Sequence, residues 1–549
     1  MIVYYMIPPR NCCKFTILSL RYDPPQSPQA AIEQFSTAVQ FYTGVKPEEI
    51  TEMYTNGPRM CSSEHLTVLL LSTPEADTTI LSDSTDDTPL TSELQQYSIF
   101  LGVAHVAMDG VGTHVSTSQL FELFGGLSSS TGRIRTNKEL FQLLEQEWTA
   151  RYRGPWALHV IPPSVEERAA SHDAPRARAD FLEDQARYIV SSGFFRQFSY
   201  YADHFSSKGG HTIPRKPAKT RRNIYHDTLF TTDETALALK RCKKEGVTIQ
   251  NVIFASCHLS WLRILHGNSP LGEKLREQTK ALFGGKLDWP SLLYTAVGMR
   301  GLLPPLPPSR VPHSHAMLSI GYYNVMLRTD EYLGLFSSSG AGTEEGRKKP
   351  LQIRLSKWFW NQAREARRQG EALTKHPDFL SRSVEHGKDR CARAKLFAEQ
   401  DDVRRGLIPP TPSPSPSPPP SSPSQKQASS AANTNTSASP NSNSREATPS
   451  ANAPKPPSAA LVGLSLIGDL DRVYKPHKFP SIKLLSSTSG TRKGPGALLI
   501  FSHTFAGRLY IHVGWDKEGF EEGLMEDFAN GLVGCIREFA LEDEVEPRL

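Results

Sequence analysis

Residues 408–458 contain almost no large apolar side chain and consist mostly of Pro, Ser, Ala, Asn and Thr. Such a stretch cannot bury enough apolar surface to offset its conformational entropy. Any core must be assembled from the chain on either side of it, and the tract is expected to be a disordered insertion. It also accounts for part of the low hydrophobic fraction, 38% over 549 residues, against a usual value of about 45–50%. The remaining roughly 500 residues are ample for a large core, and the length as a whole allows about two to four domains.

Apolar spacing places elements along the rest of the chain. Within 30–60, a helical pattern surrounds Ile32, Phe35, Val39 and Tyr42. His65–Leu71 reads as a strand, and Thr73–Gln95, rich in Asp, Ser and Thr, as a loop. Tyr97–Ala107 reads as a buried strand that runs into His105-Val-Ala-Met-Asp109-Gly110, and Thr117–Phe124 has helical spacing. Residues 137–205 read as mostly helical and 206–222 as a basic linker. Thr232–Glu245 reads as a helix capped by Thr232 or Asp233 and closed by Gly246. A second helix runs from Val247 to Leu265. Leu292–Met299 and Met317–Leu327 read as strands, and Leu355–Gln369 as a basic helix. Beyond the tract, Val462–Leu466, Ala497–Thr504 and Leu509–Trp515 read as strands, with a turn at Gly507, and Phe520–Phe539 as a final amphipathic helix. No internal repeat is visible. The mixture predicts an α/β fold.

Charge and cysteine content narrow the function. Lys+Arg 62 against Asp+Glu 57 gives +5, too mild for a dedicated nucleic-acid binder. The cysteines at 12, 13, 61, 242, 257, 391 and 535 are odd in number, irregular in spacing and without a CxxC pair. A disulfide framework or zinc site is not expected, and a reducing cytoplasm suits such a chain. No apolar run approaches the roughly 18–20 residues of a membrane span. Pro8, Pro9 and Arg10 interrupt the apolar N-terminus, which reads as neither signal peptide nor anchor.

The sharpest chemical pattern is His105-x-x-x-Asp109-Gly110. An imidazole near neutrality can act as general base toward a hydroxyl within hydrogen-bond reach. A carboxylate four residues on, past a bend, can pair with a distant arginine and hold the loop, with Gly110 allowing the tight backbone. The bare pattern recurs by chance, and a lone histidine after a strand is more often structural. Leu123-Phe-Gly-Gly-Leu-Ser128 mimics a carrier-protein serine site but reads as a helix end at Gly125-Gly126. Arg215, Lys216, Lys219, Arg221 and Arg222 read as a solvated linker, with a nuclear signal or a site for CoA phosphates as the alternatives. Arg364, Arg367 and Arg368 read as a solvated helix face. No G-x-S-x-G nucleophile elbow is present.

The stretch SIFLGVAHVAMDGVGTHVSTSQLFELF (98–124) resembles the strand, HxxxDG turn and helix of the chloramphenicol-acetyltransferase-like superfamily. That group includes plant BAHD acyltransferases, peptide-synthetase condensation domains and fungal alcohol acetyltransferases. The stretch is most similar to trichothecene 15-O-acetyltransferase-like members. Segments 233–264, LLYTAVGMRGLLPPLP (292–307), LSIGYYNVMLR (318–328), 359–369 and FSHTFAGRLYIHVGWD (501–516) resemble later family segments in the same order. The resemblance implies a two-lobe fold with mixed sheets flanked by helices. It divides the chain into an N-terminal lobe (30–205), a linker (206–224) and a C-terminal lobe (225–407 and 459–549) interrupted by 408–458.

It further implies His105 as the general base, Asp109 as the structural carboxylate and Arg300 as its partner, with Arg328 as the rival. Gly110, Asn324 and Thr504 fall near substrate or cofactor, Thr504 as a candidate oxyanion donor. The implied activity is direct acyl transfer from acetyl-CoA or another acyl-CoA, used as co-substrate with no tightly bound cofactor, to a small-molecule alcohol such as a terpenoid. The implied enzyme is a monomer, and neither a nucleic-acid partner nor a membrane span is expected. Two departures qualify this: Ala104 replaces the second histidine of condensation domains, and the plant DFGWG motif is absent. The stretch before HxxxDG is shorter than usual, which keeps open a truncated, non-catalytic metabolite binder. An amide-forming enzyme with a carrier-bound donor is the other alternative.

Overall fold

The computed structural model describes residues 24–62, 65–73, 96–153, 164–170, 213–304, 317–337, 344–384 and 460–541, apart from 130, 217–220, 283–284, 286, 289, 378 and 382. The tract 408–458, all of the expected loop Thr73–Gln95 beyond Thr73, and most of 154–212 lie outside the described residues.

Two mixed sheets, flanked by helices, carry the architecture. The first consists of β1 (Val39–Thr43), β2 (Thr67–Thr73) and β3 (Ser98–Val103) in that order. β1 is parallel to β2, and β3 is antiparallel to it. Helices α1 (Pro28–Ser36) and α2 (Pro47–Asn56) bracket β1 in the chain, and α3 (Gly110–Gly125), α4 (Asn137–Tyr152) and α5 (Val165–Ala170) follow β3. Val39 and Tyr42, expected on a helix with Ile32 and Phe35, lie instead on β1. The four positions fit a helical stripe, but Val-Gln-Phe-Tyr-Thr is β-branched and aromatic, and β1 gains a ladder with β2 from Val39↔Leu69 to Thr43↔Thr73. β3 is also less buried than expected: Ile99 is 37% exposed.

The second sheet has the order β4-β9-β8-β7-β5-β6. Its strands are β4 (Asn223–Leu229), β5 (Ser291–Gly298), β6 (Ile320–Leu327), β7 (Val462–Asp469), β8 (Leu498–Phe505) and β9 (Arg508–Asp516). β5, β7 and β8 run parallel to one another, and the other pairings are antiparallel. The helices of this part are α6 (Thr232–Lys244), α7 (Ile249–His266), α8 (Pro270–Leu282), α9 (Asp330–Ser337), α10 (Glu344–Thr374) and α11 (Leu524–Ile536). α6 is capped by Thr231, one residue before the expected cap. Its hydroxyl accepts from Glu234 N at 3.1 Å, while the Glu234 carboxylate accepts from Thr231 N at 2.8 Å. Gly246, at φ 68°, then turns the chain.

Strand alternation separates two faces of this sheet. Leu509, Ile511, Val513 and Trp515 of β9 join the main core with α7, α10 and α11. α7 is apolar nearly all round and is buried along almost its whole length, as a helix inside a core must be. Tyr510, His512 and Gly514 face the other way, in register with His503, Phe501 and Leu499 of β8. That second face is covered by α3 and by the chain between β7 and β8. The α3 residues His114, Ser118, Phe121 and Gly125, spaced as one seam, are buried there. Phe121 packs with Tyr474 and Phe479, and the Ser118 hydroxyl donates to Val473 O at 3.2 Å. α3 ends at Gly125 as expected, but for a steric reason: a Cβ there would stand 2.6 Å from the Ile482 side chain.

Candidate active site

β3 delivers the chain into a turn at 104–107, closed by Ala107 N donating to Ala104 O at 2.8 Å. His105 sits in this turn, exposed and without a hydrogen bond among the described residues. Four residues later Asp109 caps α3 and is 2% exposed. Its carboxylate is fully engaged. Oδ1 accepts from Gly112 N at 2.8 Å, and Oδ2 accepts from Ser319 N at 2.7 Å and from the Arg300 guanidinium at 2.9 Å. A buried carboxylate is tolerated when it is paired and its lone pairs are filled, and here its position at a helix N-terminus adds the favourable end of the dipole.

Arg300 follows the end of β5 and is held in turn. Its second nitrogen donates to Met317 O at 2.6 Å, and Met299 N donates to Ser319 O at 2.7 Å. One carboxylate thus clamps the turn after β3 to the ends of β5 and β6. Arg328 does not reach Asp109. It pairs with Asp330 at 3.0 Å and Glu331 at 3.4 Å near the surface.

The remaining predicted positions separate. Gly110 has no left-handed φ; the bend is completed at 104–107, and a Cβ at Gly110 would make ordinary contact with the Ile467 side chain, at 3.6 Å from Cδ1 and 3.8 Å from Cγ1. The bend therefore does not require glycine there. Because β5, β7 and β8 are parallel, Gly298, Ile467 and Thr504 finish at one edge of the sheet, the edge that receives Asp109 and Gly110. The Thr504 hydroxyl donates weakly to Asp469 at 3.5 Å. Asn324 is exposed on β6 opposite Tyr294, four residues before the end of β5 and so about 13 Å along the strand from it; it is not part of this group.

The basic cluster is largely absorbed by the fold. Arg215 donates to Gly496 O at 2.7 Å and lies over the Phe520 ring, Lys216 pairs with Glu521 at 3.0 Å, and Arg221 donates to Lys493 O at 2.8 Å. Lys219 lies outside the described residues. Arg364, Arg367 and Arg368 pair with carboxylates on and beside α10. Among the described residues no group of His, Cys, Asp and Glu is placed to hold a metal, and no helix is long and apolar enough to cross a membrane.

A second constellation escaped the sequence reading. His114, His503 and His512 lie buried on the α3 face of the large sheet, among Tyr474, Tyr510, Asp227 and Lys493. Burial lowers His114 to about 4 and, with the neighbouring histidines, His503 to about 3. Burial also lowers Lys493 to about 7. The available signal was the alternation of His503 and His512 with Phe501, Phe505 and Tyr510 on one face of adjacent strands.

No protein-family model matches the sequence, and no curated protein matches it. Solved structures do. The trichothecene 15-O-acetyltransferase from Fusarium sporotrichioides aligns over 94% of this chain and 80% of its own, with 13% identity and a TM-score of 0.52. The first condensation domain of the CDA synthetase aligns over 92% of this chain and 75% of its own, with 10% identity and a TM-score of 0.42. The EpoB cyclization-docking bidomain from Sorangium cellulosum aligns over 92% and 71%, with 12% identity and a TM-score of 0.39.

Proposed function

We propose that this chain, which has the chloramphenicol-acetyltransferase-like fold, is an acyl-CoA-dependent O-acyltransferase acting on a hydroxylated small molecule such as a terpenoid. One observation carries the reading. Asp109 is buried and spent on structure, with Arg300, Ser319 N and Gly112 N as its partners, whereas His105 in the same turn is exposed and its ring nitrogens have no partner among the described residues. A motif that fixes its carboxylate and leaves its imidazole open suits a base that must reach an incoming hydroxyl.

In the proposed reaction His105 takes the proton of the acceptor hydroxyl as its oxygen attacks the thioester carbonyl. The tetrahedral intermediate collapses with cleavage of the C–S bond, and the imidazolium returns the proton to the thiolate, giving ester and free CoA. No acyl-enzyme is needed. Thr504 is the candidate donor to the transient oxyanion, since it ends at the same sheet edge; its bond to Asp469, at 3.5 Å, is long enough to exchange.

The test is CoA release from acetyl-CoA with a panel of hydroxylated terpenoids, for the native chain and His105→Ala. Acceptor-dependent release that is lost in the variant supports the transferase and its base. Release that survives His105→Ala removes the mechanism. No release from folded native protein across donors and acceptors favours the non-catalytic relative.

A further inference from the structure

We propose that the docking of α3, the helix that Asp109 begins, is a proton-sensitive latch, closed only while His114 and His503, in the buried row His114–His503–His512, are uncharged. The row is continuous. The His114 and His503 rings lie 6.1 Å apart, His503 and His512 5.4 Å, and His503 stacks on Tyr510 at 4.9 Å with 12° between planes. It joins three elements. His114 rises from α3, His503 from β8 and His512 from β9.

Among the described residues, hydrogen bonding leaves no acceptor for a second proton at His503. His503 Nε2 lies 3.2 Å from Ser487 O, a carbonyl that can only accept, so Nε2 carries the proton. Nδ1 is then a bare lone pair, buried and without a partner among the described residues. His512 Nδ1 donates to Asp227 at 2.9 Å, and its Nε2 is likewise buried and unpartnered. His114 meets two hydroxyls, Tyr474 at 2.8 Å and Ser489 at 3.2 Å. A proton added to His503 would point an N–H at no acceptor, beside two other imidazoles. That is a cost the open form does not carry.

The surrounding groups do little to compensate. From the chain between β7 and β8, Tyr474, Ser487 and Ser489 face the row, and from α3, Thr117 bonds Tyr474. From β9, Tyr510 faces it, itself influenced by Arg508 and Asp471. From β4 comes Asp227, the one carboxylate in contact among the described residues, half exposed and also near Lys493. It serves His512 alone. The ionic tie between α3 and the covering chain, Glu122–Lys478 at 3.1 Å, lies at the surface.

The sign follows from burial. His114 and His503 bind protons less readily when α3 is docked than when it is open. The contribution of these two histidines to docking is full above the open-state value of 6.5 and is lost as pH falls below it. Between pH 8 and pH 5 the opening constant rises about 30-fold per histidine, and about 1000-fold for both. The latch does not rest on the acyltransferase reading. Only its consequence, release of the helix behind the His105 turn, does.

Hydrogen exchange of the full chain tests the latch without any activity measurement. Protection factors of α3, referred to unstructured-chain exchange rates at each pH, remove the intrinsic pH dependence of exchange. The expected α3 protection falls at least tenfold from pH 8 to pH 5, and by at least tenfold less in His114→Gln/His503→Gln. Unchanged α3 protection overturns the proposal, as does a full fall in the double variant. If that variant does not fold, ring-nitrogen resonances of the native protein decide. His114 and His503 that stay neutral to pH 5 uphold it, and titration near 6.5 or above overturns it.

Discussion

At the scale of single residues, the clamp and the base differ in what they do for the fold, and that difference is measurable. His105 is exposed and bonds to nothing described. His105→Ala is therefore expected to shift urea-unfolding stability by less than about 0.5 kcal/mol while removing acyl transfer. Arg300 neutralises a carboxylate whose side chain is 1% exposed. Arg300→Met leaves that charge buried with two backbone donors only, and the expected loss is about 3 kcal/mol in the same assay. Arg328→Ala, which breaks a surface pair, is expected to cost about 0.5 kcal/mol or less. Equal losses from the two arginine variants would contradict the assignment of Asp109's partner. The pairing could not be read from spacing, since both arginines follow a strand. The geometry separates them because β5 ends at the edge where α3 begins, whereas Arg328 follows β6, which runs the opposite way.

Elements show why some of the fold was legible and some was not. β3, α3 and the β8–β9 hairpin were visible because their signals are local. They are apolar runs with a cap, or a glycine at a turn where Ala506 and Gly507 take φ of 51° and 69° and donate to the Asp471 carboxylate. β1 was hidden because Ile32, Phe35, Val39 and Tyr42 fit the helical period, while the β-branched and aromatic composition of Val39–Thr43 favours a strand, and only β2, supplied from a distance, decides between them. The histidine row was hidden for the same reason. Its members come from α3 and two strands far apart in the chain, and only register brings them together. Edge protection was equally invisible. β6 ends the large sheet, and the Gln369 amide of α10 accepts from Met326 N at 2.9 Å and donates to Met326 O at 2.8 Å. It fills one station of the ladder that another strand could use. Gln369→Leu is expected to lower stability by about 2 kcal/mol and to promote concentration-dependent association on size exclusion. A monodisperse variant of unchanged stability would show that the amide is dispensable.

Across the whole molecule, buried imidazoles set the acid limit. His258, fully buried, bonds Ser291 and Arg328 O and is lowered by burial to about 4, as His114 is; His503 is lower still. Groups with depressed values favour the folded state above 6.5 and lose that contribution as pH falls toward 4. Each is expected to remove about 2 kcal/mol between pH 7 and pH 5, so urea midpoints at the two pH values should differ strongly, and a flat profile would exclude neutral burial. The sheet order supplies a second test. β7, β8 and β9 lie beyond the tract 408–458 in sequence but sit between β4 and β5 in space. Cutting the chain at a protease site engineered into the tract is expected to leave two pieces that co-elute until denaturant separates them. Pieces that part in buffer would mean the sheet does not hold across the break. The same interleaving bears on biosynthesis. A ribosome that has just released β5 must add about 160 more residues before β7 emerges, roughly ten to thirty seconds at ordinary elongation rates. During that interval β4 has no neighbour and β5 has only β6, so nascent chains carry two unpaired strand edges. Slowed translation of the intervening message, or loss of a holding chaperone, should lower the yield of folded protein more than its final stability would suggest.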